Sequence, residues 1–529
     1  MKRRTLLLLA ALLGATLASA GRLEAQTRFY IGASGDTAIG LIPGRAMPIP
    51  LRGSYYCAGA LSAGRWTIRY DTSKVRIAGL IPGAVDSLLD TTASTPGLFS
   101  VRGTNVNTMP CGYDQVFFTL QAVLNPSASG TFLWTSVDTF TTPSGNVAQA
   151  QRSSIAQVCR ATNVFGDVDG NGSVDSRDAL IVLSAAVGLP VTGFDLAAGD
   201  VDRDGLTTSR DALFILTYSI GLSVPTTLSI GEGAPASCPG TTAPGEAVAF
   251  KRNGSGIELL GASSTTPTLV PHTVPGDSAP RLASNGTLIV YQCQDSVYAA
   301  YSGICSVNTD GTAQRPLSNF YVWSLPDLSP NGIRVLMDYQ SYYGPLYTTT
   351  DTASALVTLE FLSGGYALSA YAAAWSRDGS RFAYTSGGFY TTWNNQVYTY
   401  QPKGLWQVDT SAVTFTKLDT AYTNTYAAPR YSPAGDSVAY IRNDGRIWAV
   451  PVTGGVPAVP YTNFLGTNSS NTITAFDWGP QGLIFSFDAT GDGSHPSLWL
   501  LPSQTSPIQR ITAPAAASGD WQPSFRRNP

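Results

Sequence analysis

Apolar and polar residues alternate over short stretches along most of the chain, and clusters of Gly, Pro, Ser and Asn separate the stretches. Between residues 27 and 157 the stretches Phe29-Tyr30-Ile31, Trp66-Thr67-Ile68-Arg69-Tyr70, Val116-Phe117-Phe118-Thr119-Leu120 and Thr131-Phe132-Leu133-Trp134 carry a period of two. That period places successive side chains on opposite faces of a strand and predicts a β-sandwich.

From residue 245 to 529 the strand texture recurs as a repeat. Five seven-residue anchors, among them Pro326-Asp327-Leu328-Ser329-Pro330-Asn331-Gly332 and Pro429-Arg430-Tyr431-Ser432-Pro433-Ala434-Gly435, align without gaps, and their final glycines at 286, 332, 379, 435 and 482 recur at 46, 47, 56 and 47 residues. An anchor followed by strands in that period predicts a propeller blade. A sixth anchor, Trp521 to Pro529, has no strands after it, while Ala247-Val248-Ala249-Phe250-Lys251 and Ile257-Glu258-Leu259-Leu260 lie at the other end of the domain. Six blades, closed by pairing the last strand with the first ones, are therefore expected.

Between these zones the charge pattern changes. Residues 160–222 hold nine Asp against four Arg, with no Glu or Lys. Asp167, Asp169, Asn171, Asp175 and Asp178 stand at positions 1, 3, 5, 9 and 12 of a loop with Gly172 sixth; Asp200, Asp202, Asp204, Thr208 and Asp211 repeat this around Gly205. Ca²⁺ takes six to eight oxygens, and a twelve-residue loop wraps around it only with a sharp turn at the sixth residue. Ser173 and Leu206, at position 7, are expected to offer backbone carbonyls, and position 9 to act through water. Each loop should run into a helix, 178–187 and 211–220, closed by Gly188 and Gly221. No helix precedes either loop, which departs from an EF-hand.

A duplicated loop with an exit helix and Asp at position 12 resembles a type I dockerin module over residues 165–222. That resemblance implies two bound Ca²⁺ ions and a partner surface at loop positions 10 and 11, here Ser176, Arg177, Ser209 and Arg210, and on the following helices. The family often carries a hydroxyl pair there, so the arginines are a departure. The near-identical halves imply docking in two orientations. The stretches Trp66 to Val75, Val116 to Val123 and Gly130 to Trp134 resemble a cohesin-like sandwich, which implies a jelly-roll β-sandwich, and the repeated Ser-Pro-Asn-Gly-like turn resembles the TolB-type propeller.

Composition narrows the chemistry. A formal charge of −3 offers no basic surface for phosphates, which disfavours nucleic acid. Only His272 and His495 are present, which leaves little for a His-based triad. Lys2, Arg3 and Arg4 precede an apolar run and Ala18-Ser19-Ala20, the pattern of a cleaved export signal over residues 1–20. No stretch is long enough for a membrane span. Export suits oxidised cysteines, and the domain layout suggests Cys57 with Cys111, Cys159 with Cys238, and Cys293 with Cys305.

The expected organisation is a signal (1–20), a cohesin-like sandwich (27–157), a small α-helical calcium-binding module (160–223), a linker (224–244) and a six-bladed β-propeller (245–529), a mainly β protein. The expected function is that of a secreted, extracellular, cell-surface or periplasmic binding protein. It would dock onto a cohesin-like domain, on another protein or on another copy of itself, and recognise a protein or glycan at the propeller. An aromatic run from Tyr339 to Tyr400, made of Tyr339, Tyr342, Tyr343, Tyr390, Trp393, Tyr398 and Tyr400, is first of all explained by ordinary strand packing, with the lining of a binding surface as the alternative. The alternative is a dockerin-borne polysaccharide lyase or glycosidase whose active site lies on the propeller, with acids such as Asp327, Asp338, Glu360, Asp378 and Asp477 as raw material; no catalytic residues stand out in the sequence.

Overall fold

A computed structural model of the 529-residue chain describes residues 28–525 with breaks at 32–37, 56–62, 84–86, 90–96, 105–111, 142–146, 149–153, 226–227, 295–301, 319–324, 333, 339–345, 351–355, 359–369, 387–391, 394–395, 398–403, 410–413, 421–427, 443, 463–472, 474, 489–494 and 515–517. The signal segment, Cys57, Cys111 and most of the Tyr339 to Tyr400 run fall outside the described residues. Two compact units divide between Pro239 and Gly240.

In the first unit two sheets face each other. One has the order Arg28–Ile31, Ala46–Tyr55, Gly112–Leu124, Val75–Pro82. The other runs Gly233–Ser237, Ala38–Leu41, Ser154–Val164, Gly130–Thr141, Ala63–Arg69, Leu98–Thr104, Ser87–Leu89. The period-two reading holds in detail: along Leu98–Thr104, Phe99 and Val101 are buried while Arg102 is exposed. The core gathers Trp66, Ile68, Phe117, Phe118 and Leu133, with the Trp66 ring edge-on to Phe118 at 5.2 Å.

The helical module grows out of this sandwich. Ser154–Val164 leads straight into the first loop, and the chain returns as Gly233–Ser237, which pairs with it from Arg160↔Ser237 to Val164↔Gly233. Residues 224–244, read from sequence as a linker, thus contain a sheet strand. The glycines misled that reading: a Cβ on Gly233 or on Gly40 would lie 2.2 Å from the other's carbonyl oxygen, so Gly233 serves close approach rather than freedom. Cys159 and Cys238 are disulfide-bonded across this junction, 79 residues apart in sequence.

Helices α1 (Ser176–Ala186) and α2 (Ser209–Ser219) pack on each other through Val168, Val182, Val201 and Ile215. Val174, in the first loop, packs against this cluster and against the sandwich core. Both helices begin two residues earlier than the sequence suggests, because Asp175 and Thr208 cap them through capping boxes with Asp178 and Asp211. They end at Gly188 and Gly221, with φ of +80° and +77°.

The second unit is the six-bladed propeller. Six four-stranded antiparallel sheets follow one another, and the first is completed by the last strand: Val248–Arg252, Gly256–Leu260 and Thr268–Leu269 join Asp520–Phe525. Strands Ser278–Leu282, Asp327–Leu328, Ala370–Trp375, Arg430–Tyr431, Phe476–Gly479 and Asp520–Phe525 each touch the next, and the last touches the first. They form the inner ring. The anchor turns are alike: Gly286, Gly332, Gly379 and Gly435 have φ of +71° to +72°. The hydroxyls of Ser329, Ser376 and Ser432 accept from the backbone N–H five residues on. Cys293 and Cys305 are bonded across neighbouring strands of the second sheet.

Candidate metal centre

The two acidic loops fold around their own carboxylates. In the first, Asp167 Oδ1 and Oδ2 accept from the N–H groups of Asn171 (3.1 Å) and Gly172 (2.9 Å). Asp178 Oδ1 accepts from Val168 N–H (2.9 Å) and Asp169 N–H (3.2 Å), and its Oδ2 from Asp175 N–H (2.9 Å). The second loop repeats the plan. Asp200 Oδ2 accepts from Gly205 N–H (3.0 Å), and Asp211 from the N–H groups of Val201 (3.0 Å) and Thr208 (2.9 Å) and from the Thr208 hydroxyl (2.8 Å). The sixth residues, Gly172 and Gly205, both have φ of +90°. This is the sharp turn for which glycine is needed.

Among the described residues, two groups of acids bring one oxygen each within 4.8 Å of one another: Asp167, Asp169 and Asp178, and Asp200, Asp202 and Asp204. Asp211 stands outside the second group, its oxygens engaged as above. Asn171 Oδ1 and Asp204 Oδ1 accept from the N–H of Ser173 and of Leu206. Asp175 and Thr208 turn to the helix ends and accept from the N–H of Arg177 and of Arg210.

The electrostatics suit a cation. Burial pushes the Asp178 carboxyl up from its ordinary value, against its backbone donors and with help from the Asp169 charge. Burial raises Asp200 too, and the charges of Asp211 and Asp204 add to it. Asp200 Oδ1 is buried without a hydrogen-bond donor, and so is Asp169 Oδ2. Three clustered carboxylates per loop, with a single arginine paired to each cluster, leave an excess of negative charge that fits a hard divalent ion such as Ca²⁺.

Residues at the expected partner face sit on the rim. Arg177 and Arg210 are each 67% exposed, and each reaches back to the third residue of its loop: Arg177 Nε lies 3.3 Å from Asp169 Oδ2 and Arg210 Nη1 3.2 Å from Asp202 Oδ2. Ser176 and Ser209, the first residues of α1 and α2, are exposed beside them.

The sequence reading passed over an apolar face. Leu180, Leu183, Val187 and Leu189 are exposed, and so are their counterparts Leu213, Leu216, Ile220 and Leu222, each 33 residues on. One buried stripe uses Ala179 and Val182 on α1 and Ala212 and Ile215 on α2. The surplus of leucines beyond that stripe was the available signal. The halves differ where Arg203 replaces Gly170: Arg203 keeps a positive φ of 59° and lies over the Phe165 ring at 4.6 Å.

In the propeller, three of the acids considered for catalysis, Asp327, Asp378 and Asp477, have structural partners. Arg281, Asp327, Arg430 and Asp477 hold the second position of their anchors and are buried. Asp327 Oδ1 lies 3.5 Å from Arg281 Nε and 3.9 Å from Arg430 Nη1, and Asp477 Oδ1 lies 3.3 Å from Arg430 Nε. Their other oxygens accept from the N–H of the next blade, Trp375 for Asp327 (2.8 Å) and Phe525 for Asp477 (2.9 Å). Asp378 accepts from Ser376 and Ser380 in its own turn. The side chains of Asp338 and Glu360, and those of Tyr339, Tyr342, Tyr343, Tyr390, Trp393, Tyr398 and Tyr400, lie outside the described set.

Residues 165–218 match the family model of the dockerin type I domain. No curated protein matches the chain. Among solved structures, TolB from Acinetobacter baumannii is 13% identical over 53% of this chain and 66% of its own, just under two thirds of its length, with a TM-score of 0.41. A nidogen/laminin complex is 8% identical over 53% of this chain and 98% of its own, with a TM-score of 0.40. CaCohA2 from Clostridium acetobutylicum is 19% identical over 26% of this chain and 91% of its own, with a TM-score of 0.22. Among the described residues no helix is long and apolar enough to cross a membrane.

Proposed function

We propose that this protein is an exported, non-catalytic adaptor whose dockerin-type module becomes a docking tip when two Ca²⁺ ions fill its loops. Asp167, Asp169, Asn171 and Asp178 would hold the first ion with the Ser173 carbonyl, and Asp175 would act through water. Asp200, Asp202, Asp204 and Asp211 would hold the second with the Leu206 carbonyl, and Thr208 would act through water. The ions supply the positive charge that lets crowded carboxylates stay ionised, so binding stabilises the module.

The observation that carries this reading is the duplication of site and face together. Behind each acidic loop stands the same rim, Ser176 and Arg177 or Ser209 and Arg210, and the same exposed leucines. Such a face suits a partner that grips either half after a half-turn. That partner is a sandwich of cohesin type, on another protein or on a second copy of this chain, whose own N-terminal sandwich has cohesin-like character. The propeller is the recognition domain, for a protein or glycan.

Calorimetric titration of the full chain with CaCl₂ should show two ions taken up per chain; no uptake removes the adaptor reading. Light scattering in calcium and then in chelator tests the self-docking form, which fails if the mass stays that of one chain in both.

A further inference from the structure

Arg177 and Arg210 belong at once to the partner face and to the metal loops, since each pairs with the position-3 carboxylate of its own loop. We propose that these two arginines couple ion occupancy to docking, and that the partner group they read is a carboxylate. This inference rests on the calcium reading above.

Asp169 Oδ2 has no hydrogen-bond donor, and the Arg177 guanidinium lies 3.3 Å from it. An ion held by the same carboxylate is one contact removed from that guanidinium, and the two cations repel. The guanidinium therefore opposes the ion, and the ion in turn weakens the guanidinium's hold on its aspartate. At two-thirds exposure the long arginine side chains are free to swing outward. What compensates an arginine for leaving one carboxylate is another, and bidentate pairing makes a partner Asp or Glu the fitting group. By linkage, a partner that draws the arginines away must raise ion affinity by the factor with which the ion raises partner affinity.

The two loops should differ in degree. Arg210 lies over the Phe214 ring at 5.3 Å, whereas the equivalent residue behind the first loop is Ile181. A guanidinium seated on a ring is held near its loop more firmly, so the second loop should feel the stronger opposition.

The test is calorimetric titration with calcium alone on the full chain, comparing wild type with Arg177→Gln, Arg210→Gln and the double variant. A divalent and a single charge at this spacing, screened by water and salt, correspond to a gain of roughly two- to sevenfold in affinity per arginine removed. The larger gain is expected for Arg210→Gln. Arg177→Lys with Arg210→Lys keeps the charge and should stay close to wild type. Thermal melts in chelator establish that each variant is folded. Unchanged or weaker calcium binding in folded double variant overturns the coupling while leaving the calcium sites standing. Absence of uptake by wild type overturns the calcium reading itself.

Discussion

Asp178 is the residue on which the first loop closes, and the part of its contribution that its backbone hydrogen bonds supply should be present without calcium. Fully buried, it receives three backbone N–H donors, from Val168, Asp169 and Asp175, at 2.9, 3.2 and 2.9 Å. It also completes the capping box of α1. Asp178→Ala removes the acceptor for all three and leaves donors stranded, two of them in part-buried surroundings. Stranded donors cost about 1–3 kcal/mol each, and the relief of burying a carboxylate offsets some of this, so a net loss of about 3–5 kcal/mol is expected. For a unit of this size that is a fall of roughly 6–20 °C in Tm. Asp178→Asn keeps one acceptor oxygen but turns an NH₂ toward an N–H, and should lose about half as much. Scanning calorimetry of the full chain in chelator and in calcium is the assay. If the alanine variant melts with wild type in chelator and separates only in calcium, Asp178 acts through the ion and the local hydrogen-bond account is refuted.

Three further outcomes are expected. Cleaving Cys159–Cys238, or replacing both cysteines with Ser, releases a 79-residue loop and should cost the first unit about 2–4 kcal/mol, read as a lower denaturant midpoint. Asp520 is buried and grips Arg252 through two hydrogen bonds of 2.7 and 2.9 Å where the last strand closes the first sheet. Asp520→Ala should therefore destabilise the propeller by about 2–4 kcal/mol, with the Glu258 pair at 2.7 Å retaining part of the Arg252 charge compensation; an unchanged unfolding midpoint would rule out this latch. Burial pushes the Tyr291 phenol up to about 12 from 10.0, against the Gln314 hydrogen bond. Its folded value is raised, so its contribution is whole below pH 10 and falls as pH climbs from 10 toward 12, by up to about 1.4 kcal/mol per pH unit. Tyr291→Phe should flatten that part of the stability profile in denaturant titrations at stepped pH, and an equally steep decline in the variant would contradict it.

What the chain declares by itself is what is local. Twelve residues decide whether a loop can wrap, so the aspartate spacing and Gly172 or Gly205 could be read directly, as could the anchor turns ending at Gly332 or Gly435. The blade count followed from the same cause, since a repeat of turns carries its own period. Tertiary structure decided what joins distant segments. Gly233 looked like linker until Gly40 was placed against it, and the helical module proved to be seated on the sandwich through Val174 and the Arg160↔Ser237 pairing. Arg281, Asp327, Arg430 and Asp477 share one anchor position but stand far apart in the sequence; closing the ring brought them within ion-pair reach. Likewise the apolar residues of α1 and α2 split into a buried set, Ala179, Ile181, Val182, Ala212 and Ile215, and an exposed set of leucines only once the helices had packed, because amphipathic spacing marks a stripe but not which stripe meets the core.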